Sequence, residues 1–144
     1  MKLPEYISVN EVKRVCAELK IRDWTLLKKA EVLPEEAEKI LADLETGDMK
    51  IRLKDFKLGL EVELEHGIRF PEANVTNNHP VVTGMIVLAH FKESLDYYQR
   101  LDVAEIEGDL LKAVIGKNPT KVAALYEKLV KAKLELSQAE SEML

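Results

Sequence analysis

Apolar residues return along most of the chain every three or four positions, the period of an α-helix. Val12, Val15, Cys16 and Leu19 form the first such stripe, and Ser8-Val9-Asn10-Glu11 precedes it with the form of a capping box. In such a box the Ser hydroxyl accepts from a free N–H three residues on, and the Glu reaches back to the Ser N–H. Asp23-Trp24-Thr25 breaks the stripe and predicts a short capped turn through Ala30, with Trp24, the only tryptophan, as a core anchor. A second helix is expected from Leu33-Pro34, because proline at the first helical position loses no hydrogen bond. Glu35, Glu36 and Glu38 suit the positive end of its dipole, and Ala37, Ile40, Leu41 and Leu44 make its buried stripe before Gly47 stops it.

Residues 51–66 carry two patterns at once. Leu58, Leu60, Val62 and Leu64 alternate with Gly and Glu as in a strand, while Leu53, Phe56, Leu60, Leu64 and Gly67 share one helical face. The length of the segment and its lack of β-branched residues favour a helix that ends at Gly67, with Ile51-Arg52-Leu53 as an extended lead-in. Gly67 to Pro80 is rich in turn formers and reads as a long ordered loop. A helix buried on most sides then runs from Pro80 or Val81 to Leu101, capped by Asn78 or His79. Another follows over Asp102–Ile115, broken at Gly108 and closed by Gly116.

Asn118-Pro119 caps the last helix, which runs from Thr120 toward the terminus. Its apolar residues Val122, Leu125, Leu129, Ala132, Leu136, Ala139 and Met143 alternate three and four apart, a heptad seam of about three repeats. That seam either packs on its own domain or pairs residues 120–143 with another subunit or another protein. The expected fold is therefore all-α, a single domain over 1–144 made of five to six helices. Residues 1–50 would form an N-terminal helical cap, 53–101 the core, and 102–144 the C-terminal helices.

Composition narrows the class. An apolar fraction of 47% with 33% charged residues suits a folded globular chain, and 6% aromatics is lean for a β-sandwich. The net charge of −5 is spread over interspersed residues, which argues against nucleic acid as a partner. Cys16, alone, has no internal disulfide partner, so a reducing, cytoplasmic setting is expected. Met1–Tyr6 has an early acid and no apolar core of a leader. The apolar run Val81–Phe91 is shorter than the roughly 18 residues that span a bilayer, so no membrane partner is expected. In that setting the sequon Asn74-Val75-Thr76 is a chance match.

Chemistry is concentrated where the histidines are. Glu63-Leu64-Glu65-His66 and His90-Phe91-Lys92-Glu93 each place a carboxylate and an imidazole three residues apart, in opposite order. Residues so spaced lie one turn apart on one helix face. Two antiparallel helices would bring His66 level with His90 and Glu63 level with Glu93. Paired Glu and His between helices can hold a divalent iron, manganese or zinc ion. The structural alternative is a hydrogen-bonded core histidine at 90 with the two carboxylates at the edge of the stripe. His90, Glu93 and Tyr97 share a face with Ile86, and with Asp96 they suit either acid–base work or a polar network that locks two helices. Asn74 and Thr76 either shape the loop through bonds to its backbone or hold a ligand. Other catalytic signatures are missing: there is no Gly-rich phosphate loop, no His-Glu-x-x-His and no Cys-x-x-Cys. Cys16 reads as a small inert hydrophobe, and Glu35-Glu36 and Lys28-Lys29 as solvated surface.

Several polar motifs occur in order. They are Lys57–Gly67, Asn74-Val75-Thr76-Asn77, Thr83-Gly84, Ala89-His90 and Asp96-Tyr97-Tyr98 with Arg100-Leu101. The stretch from Phe56 to Leu101 resembles a small, mostly prokaryotic and phage family of unknown function whose pattern reads GLEVELEHG, NVTNDDP, TGKIALAHL and DYYxRL. The resemblance implies no activity or cofactor. It does imply that Glu63, Glu65, His66, Asn74, Thr76, His90, Asp96 and Tyr97 belong to one pattern, from which the chain departs at His79, where the family usually has an acid. The flanking helices lie outside it. The function expected from all this is a non-catalytic accessory or interaction module, with a metal-binding helical protein as the competing reading.

Overall fold

The helical periodicity is realised, in a computed structural model that describes residues 7–144, as six α-helices. They are α1 (Val9–Leu19), α2 (Pro34–Ala42), α3 (Leu53–Arg69), α4 (Pro80–Glu93), α5 (Tyr97–Ile115) and α6 (Pro119–Met143), with 3-10 turns at Trp24–Leu26 and Pro71–Ala73. No strand occurs among the described residues. Met1–Tyr6, read above as carrying no leader, lies outside them. The chain divides into two compact units, one reaching Glu93 and the other running from Ser94 to Leu144.

In the first unit, Ser8 is extended and its Oγ accepts from the Glu11 N–H at 3.2 Å. The return half of the expected capping box is missing, because the Glu11 carboxylate accepts instead from Arg14 Nε at 2.8 Å. α1 buries Val12, Val15 and Cys16 and ends at Lys20 in the left-handed region (φ 54°). The following turn is held by the Asp23 carboxylate, which accepts from the Thr25 N–H at 3.0 Å and its hydroxyl at 2.6 Å. It stops at Leu26, short of Ala30, and Trp24 within it is fully buried.

Glu36 corrects the sequence reading of a solvated acid: it is 1% exposed. Its carboxylate accepts from Arg22 Nε (2.8 Å), Arg22 Nη2 (2.6 Å) and the backbone N–H groups of Arg22 (3.1 Å) and Leu33 (2.9 Å). Arg22 Nη2 also donates to the Glu31 carbonyl. One carboxylate thus fastens both ends of the 22–33 segment to the first turn of α2. Burial alone would raise its pKa, but the Arg22 guanidinium and these donors together hold it below the ordinary carboxylate value.

The ambiguous segment is helical, with Phe56, Leu60 and Leu64 in the core. α3 does not stop at Gly67 but continues to Arg69. Gly67 is a contact point rather than a terminator: a Cβ there would lie 2.9 Å from Asn74 Nδ2 and closer still to Asn78 Oδ1. Gly84 plays a similar part on α4, where a Cβ would lie 2.7 Å from Leu44 Cδ1 and 3.0 Å from Ile40 Cγ2. Its bare backbone lets α4 lie against α2 and α3. α1 also packs on α4.

α4 ends at Glu93, not at Leu101. Apolar spacing continues across Ser94-Leu95-Asp96, but buried Asp96 accepts from the Ser94 hydroxyl and from Arg100 Nη2 and holds the chain in a turn. α5 therefore starts at Tyr97, five residues before the expected Asp102, and runs unbroken past exposed Gly108. In this second unit α5 and α6 form a helical hairpin. Lys117 (φ 51°) turns the chain, and Asn118 Oδ1 caps α6 by accepting from the Lys121 N–H at 3.0 Å. Arg100 Nη2 bridges Asp96 (2.6 Å) and Glu140 (2.8 Å), tying the open ends of the hairpin together.

Glu36→Ala is expected to cost about 2–3 kcal/mol, below the 3–5 typical of a fully buried pair because Arg22 remains partly in water. The folded carboxyl has the lower pKa, so its stabilisation is complete above the ordinary value of 4.5 and is lost as pH falls through the folded value. Urea unfolding of wild type and Glu36→Gln between pH 3 and 7 checks this: the stability gap should narrow toward acid, and a gap independent of pH would contradict it.

Candidate functional site

α3 and α4 place the sequence-predicted cluster together only in part. The Glu63 carboxylate, largely buried, lies 3.5 Å from His90 Nε2 and 3.9 Å from His66 Nδ1. The register differs from the expected one. His90 lies beside Glu63 rather than His66, because α3 continues beyond Gly67 and the connection to α4 spans only residues 70–79. His66 is mostly exposed and Glu93 is exposed at the end of α4. Among the described residues, no group of three or more His, Cys, Asp or Glu side chains is arranged to hold a metal ion. Glu65 points to solvent and pairs with Arg69 at 3.5 Å.

The loop polar residues bind one another. Asn74 Nδ2 donates to the Gly67 carbonyl (3.2 Å) and to Asn78 Oδ1 (2.9 Å), while Thr76 Oγ1 donates to Asn74 Oδ1 and accepts from the Asn78 N–H. Asn77 and Asn78 both take left-handed conformations, which asparagine tolerates better than most residues. Asn77 Nδ2 donates to the Ile7 carbonyl, pinning the loop to the start of α1. Of the two candidate caps, His79 serves α4: its Nδ1 accepts from the Val82 N–H at 3.2 Å, and its carbonyl accepts from the Thr83 N–H and hydroxyl. An acceptor on Nδ1 requires that nitrogen to be unprotonated. Burial lowers the His79 pKa, and the nearby Glu11 carboxylate opposes that shift. An aspartate would cap equally well here, so position 79 reads as a helix start.

The proposed acid–base face on one continuous helix does not form. His90 and Glu93 belong to α4, whereas Asp96 precedes and Tyr97 opens α5. Burial alone would raise the Asp96 pKa, but Arg100 and the Ser94 hydroxyl outweigh it and hold the carboxyl below its ordinary value. The Tyr97 ring stands edge-on to Tyr98, with centroids 5.2 Å apart. Burial pushes the Cys16 thiol up, in keeping with an inert hydrophobe.

Sequence reasoning missed a second apolar row on α6. The heptad seam is turned toward α5: Leu125, Leu129, Ala132 and Ala139 are buried, Val122 and Leu136 half-buried, and Met143 exposed. A different row, Tyr126, Val130 and Leu134, stands more than half exposed at i, i+4 and i+8. Leu111, Val114 and Ile115 of α5 are equally exposed. Near the hairpin turn lies an open groove of about 760 Å³, lined mainly by Leu110, Ala113, Val114, Pro119, Val122, Ala123 and Tyr126. The signal was in the sequence as a second i, i+4 row, hidden by the more regular seam.

A family model described as "Protein of unknown function (DUF5661)" matches residues 12–107. The chain belongs to this family. The DUF5661 match takes in most of α1 and the whole of α2, so these N-terminal helices are part of the family's extent, wider than the resemblance over Phe56–Leu101 implied. It ends within α5 and leaves α6 outside. No curated protein and no solved structure matches the chain.

His79→Ala should cost about 1 kcal/mol through loss of the cap, and His79→Asp should restore most of it. The imidazole pKa is expected below 6.5 by NMR titration. Its contribution is then full above 6.5 and is lost as pH falls through the folded value. A ring that titrates above 6.5 would contradict the cap.

Proposed function

We propose that this protein is a non-catalytic interaction module whose docking surface is the open face of the α5–α6 hairpin. The observation that carries the reading is the open apolar groove near the hairpin turn, with Val114, Tyr126 and Val130, each more than half exposed, beside it. Scattered exposed apolar residues are ordinary, but a contiguous row beside an apolar groove is characteristic of a surface that meets another molecule. The polar clusters support the same reading from the other side. Glu36, Asp96, Asn74, Thr76 and His79 are occupied by structural hydrogen bonds, which leaves them little capacity for acid–base or nucleophilic work. No helix of the described residues is long and apolar enough to cross a membrane, and the row belongs to a hairpin with charged flanks.

The face is free of any part in the chain's own core. Tyr126→Ser/Val130→Ser is therefore expected to keep its unfolding free energy within about 0.5 kcal/mol of wild type, measured at submicromolar protein. A loss of about 3 kcal/mol or more, the size seen for core truncations, would overturn the reading.

A second reading is a divalent transition-metal site, favoured by one observation: the Glu63 carboxylate lies within 4 Å of two imidazoles, His66 on its own helix and His90 on α4. Glu63, His66, His90 and Glu93 would be its candidate ligands. Binding of zinc, manganese or iron(II) to the folded state alone raises the thermal midpoint. The reading expects such a rise in wild type and none in His66→Ala/His90→Ala; equal midpoints with and without excess metal in wild type would remove it.

A further inference from the structure

His79 stands where the 70–79 connection becomes α4, and it is bonded in both directions. Backward, its N–H donates to the Thr76 carbonyl at 3.0 Å. Forward, its carbonyl accepts from the Thr83 N–H and hydroxyl, both at 2.9 Å, and its Nδ1 accepts from the Val82 N–H at 3.2 Å. The other bonds of the connection run in series from this junction. Thr76 Oγ1 accepts from the Asn78 N–H, Asn74 Nδ2 donates to Asn78 Oδ1 and to the Gly67 carbonyl, and Asn77 Nδ2 reaches the Ile7 carbonyl ahead of α1. One residue therefore links the start of α4 to the last turns of α3 and to the start of α1.

That junction is sensitive to a single proton. The His79 side chain is buried, and its Nδ1 faces an N–H donor. A proton on Nδ1 would set donor against donor and place a cation at the positive end of the α4 dipole. Among the described residues, the charged groups whose fields reach the ring are Glu11 and Arg14, both on α1, and they act in opposite senses. The Arg14 guanidinium holds the Glu11 carboxyl below its ordinary value, so Glu11 keeps its charge in mild acid. The closed connection also carries strain. Asn77 (φ 49°) and Asn78 (φ 60°) are consecutive left-handed residues, a backbone that persists only where the surroundings fix it.

We propose that His79 is a proton-operated latch: in mild acid its ring takes up a proton from solvent, leaves the first turn of α4, and releases residues 74–79 from Gly67 and Ile7 as one unit. The latch lies within the first unit and does not rest on the docking-surface reading. Burial lowers the pKa of the closed ring below its ordinary 6.5, whereas an opened ring is solvated and titrates near that value. Closure is thus fully favoured above 6.5 and weakens as pH falls through the closed value. The ceiling on the effect is a rise of about 30-fold in the open population from about pH 7.5 to about pH 5, reached if the closed ring takes no proton.

Hydrogen exchange of the full chain, read amide by amide by NMR at those two pH values and corrected for intrinsic exchange, tests the latch. Wild-type protection at Asn78, His79, Val82 and Thr83 is expected to fall at least about fivefold in acid, while that of Ala37 and Ile40 in α2 changes less than about twofold. His79→Asn supplies a neutral acceptor for the same cap and keeps His66 and His90, so its protection at residues 78, 82 and 83 should stay within about twofold across the range. Wild-type protection that does not respond to pH overturns the proposal. An equal fall in α2 overturns it too, since that is unfolding of the whole unit rather than of a latch. So does a fall in His79→Asn as large as in wild type, because another group would then carry the proton.

Discussion

A helix in a two-helix hairpin has only one face to give its neighbour, and α5 and α6 carry more apolar surface than that single contact covers. The seam along Leu125, Leu129, Ala132 and Ala139 is taken up by α5, and what remains apolar has nowhere to go within the hairpin. Burying apolar surface is worth roughly 25 cal/mol per Å², so the apolar area left open beside the groove favours contact with another molecule. The clamp of Arg100 between Asp96 and Glu140 and the Asn118 cap hold the two helices side by side.

The first unit solves the opposite problem. Its core is closed by large residues such as Trp24, Phe56, Ile40 and Leu64, and close approach of α4 is permitted at Gly84. Its non-helical segments are held by polar side chains turned inward. Glu36 gathers the 22–33 segment, and the Asn74–His79 network gathers the loop onto Gly67, α1 and the first turn of α4. Buried polar groups of this kind need every partner they have, because an unsatisfied one costs more than the bond contributes when made. The residues with the most suggestive chemistry in the sequence are thus explained by local architecture. The exception is Glu63 with its two imidazoles.

Helix type and extent were legible wherever apolar spacing and a capping residue agreed, as at Ser8, Pro34 and Asn118-Pro119. They were also legible over 58–66, where length and composition favoured a coil of 3.6 residues per turn over alternation. The break at Ser94–Asp96 was not legible, because apolar spacing continues through it and the turn is made by an aspartate whose partners, Ser94 and Arg100, carry no periodic signal. Glu36 was misread as solvated because its partner lies fourteen residues earlier, beyond any local pattern. The metal hypothesis depended on register, which sequence spacing does not fix across a loop. The exposed row on α6 was overshadowed by the seam, since periodicity reveals that a helix has an apolar face but not which of two faces its neighbour takes.

The most direct measurement is the binding of an apolar fluorescent dye such as ANS to the folded chain. If the groove beside Tyr126 is an open apolar surface, wild type should bind the dye while native, and Tyr126→Ser/Val130→Ser should bind it several-fold more weakly. A native chain that binds none, or a variant that binds it equally well, would contradict the account.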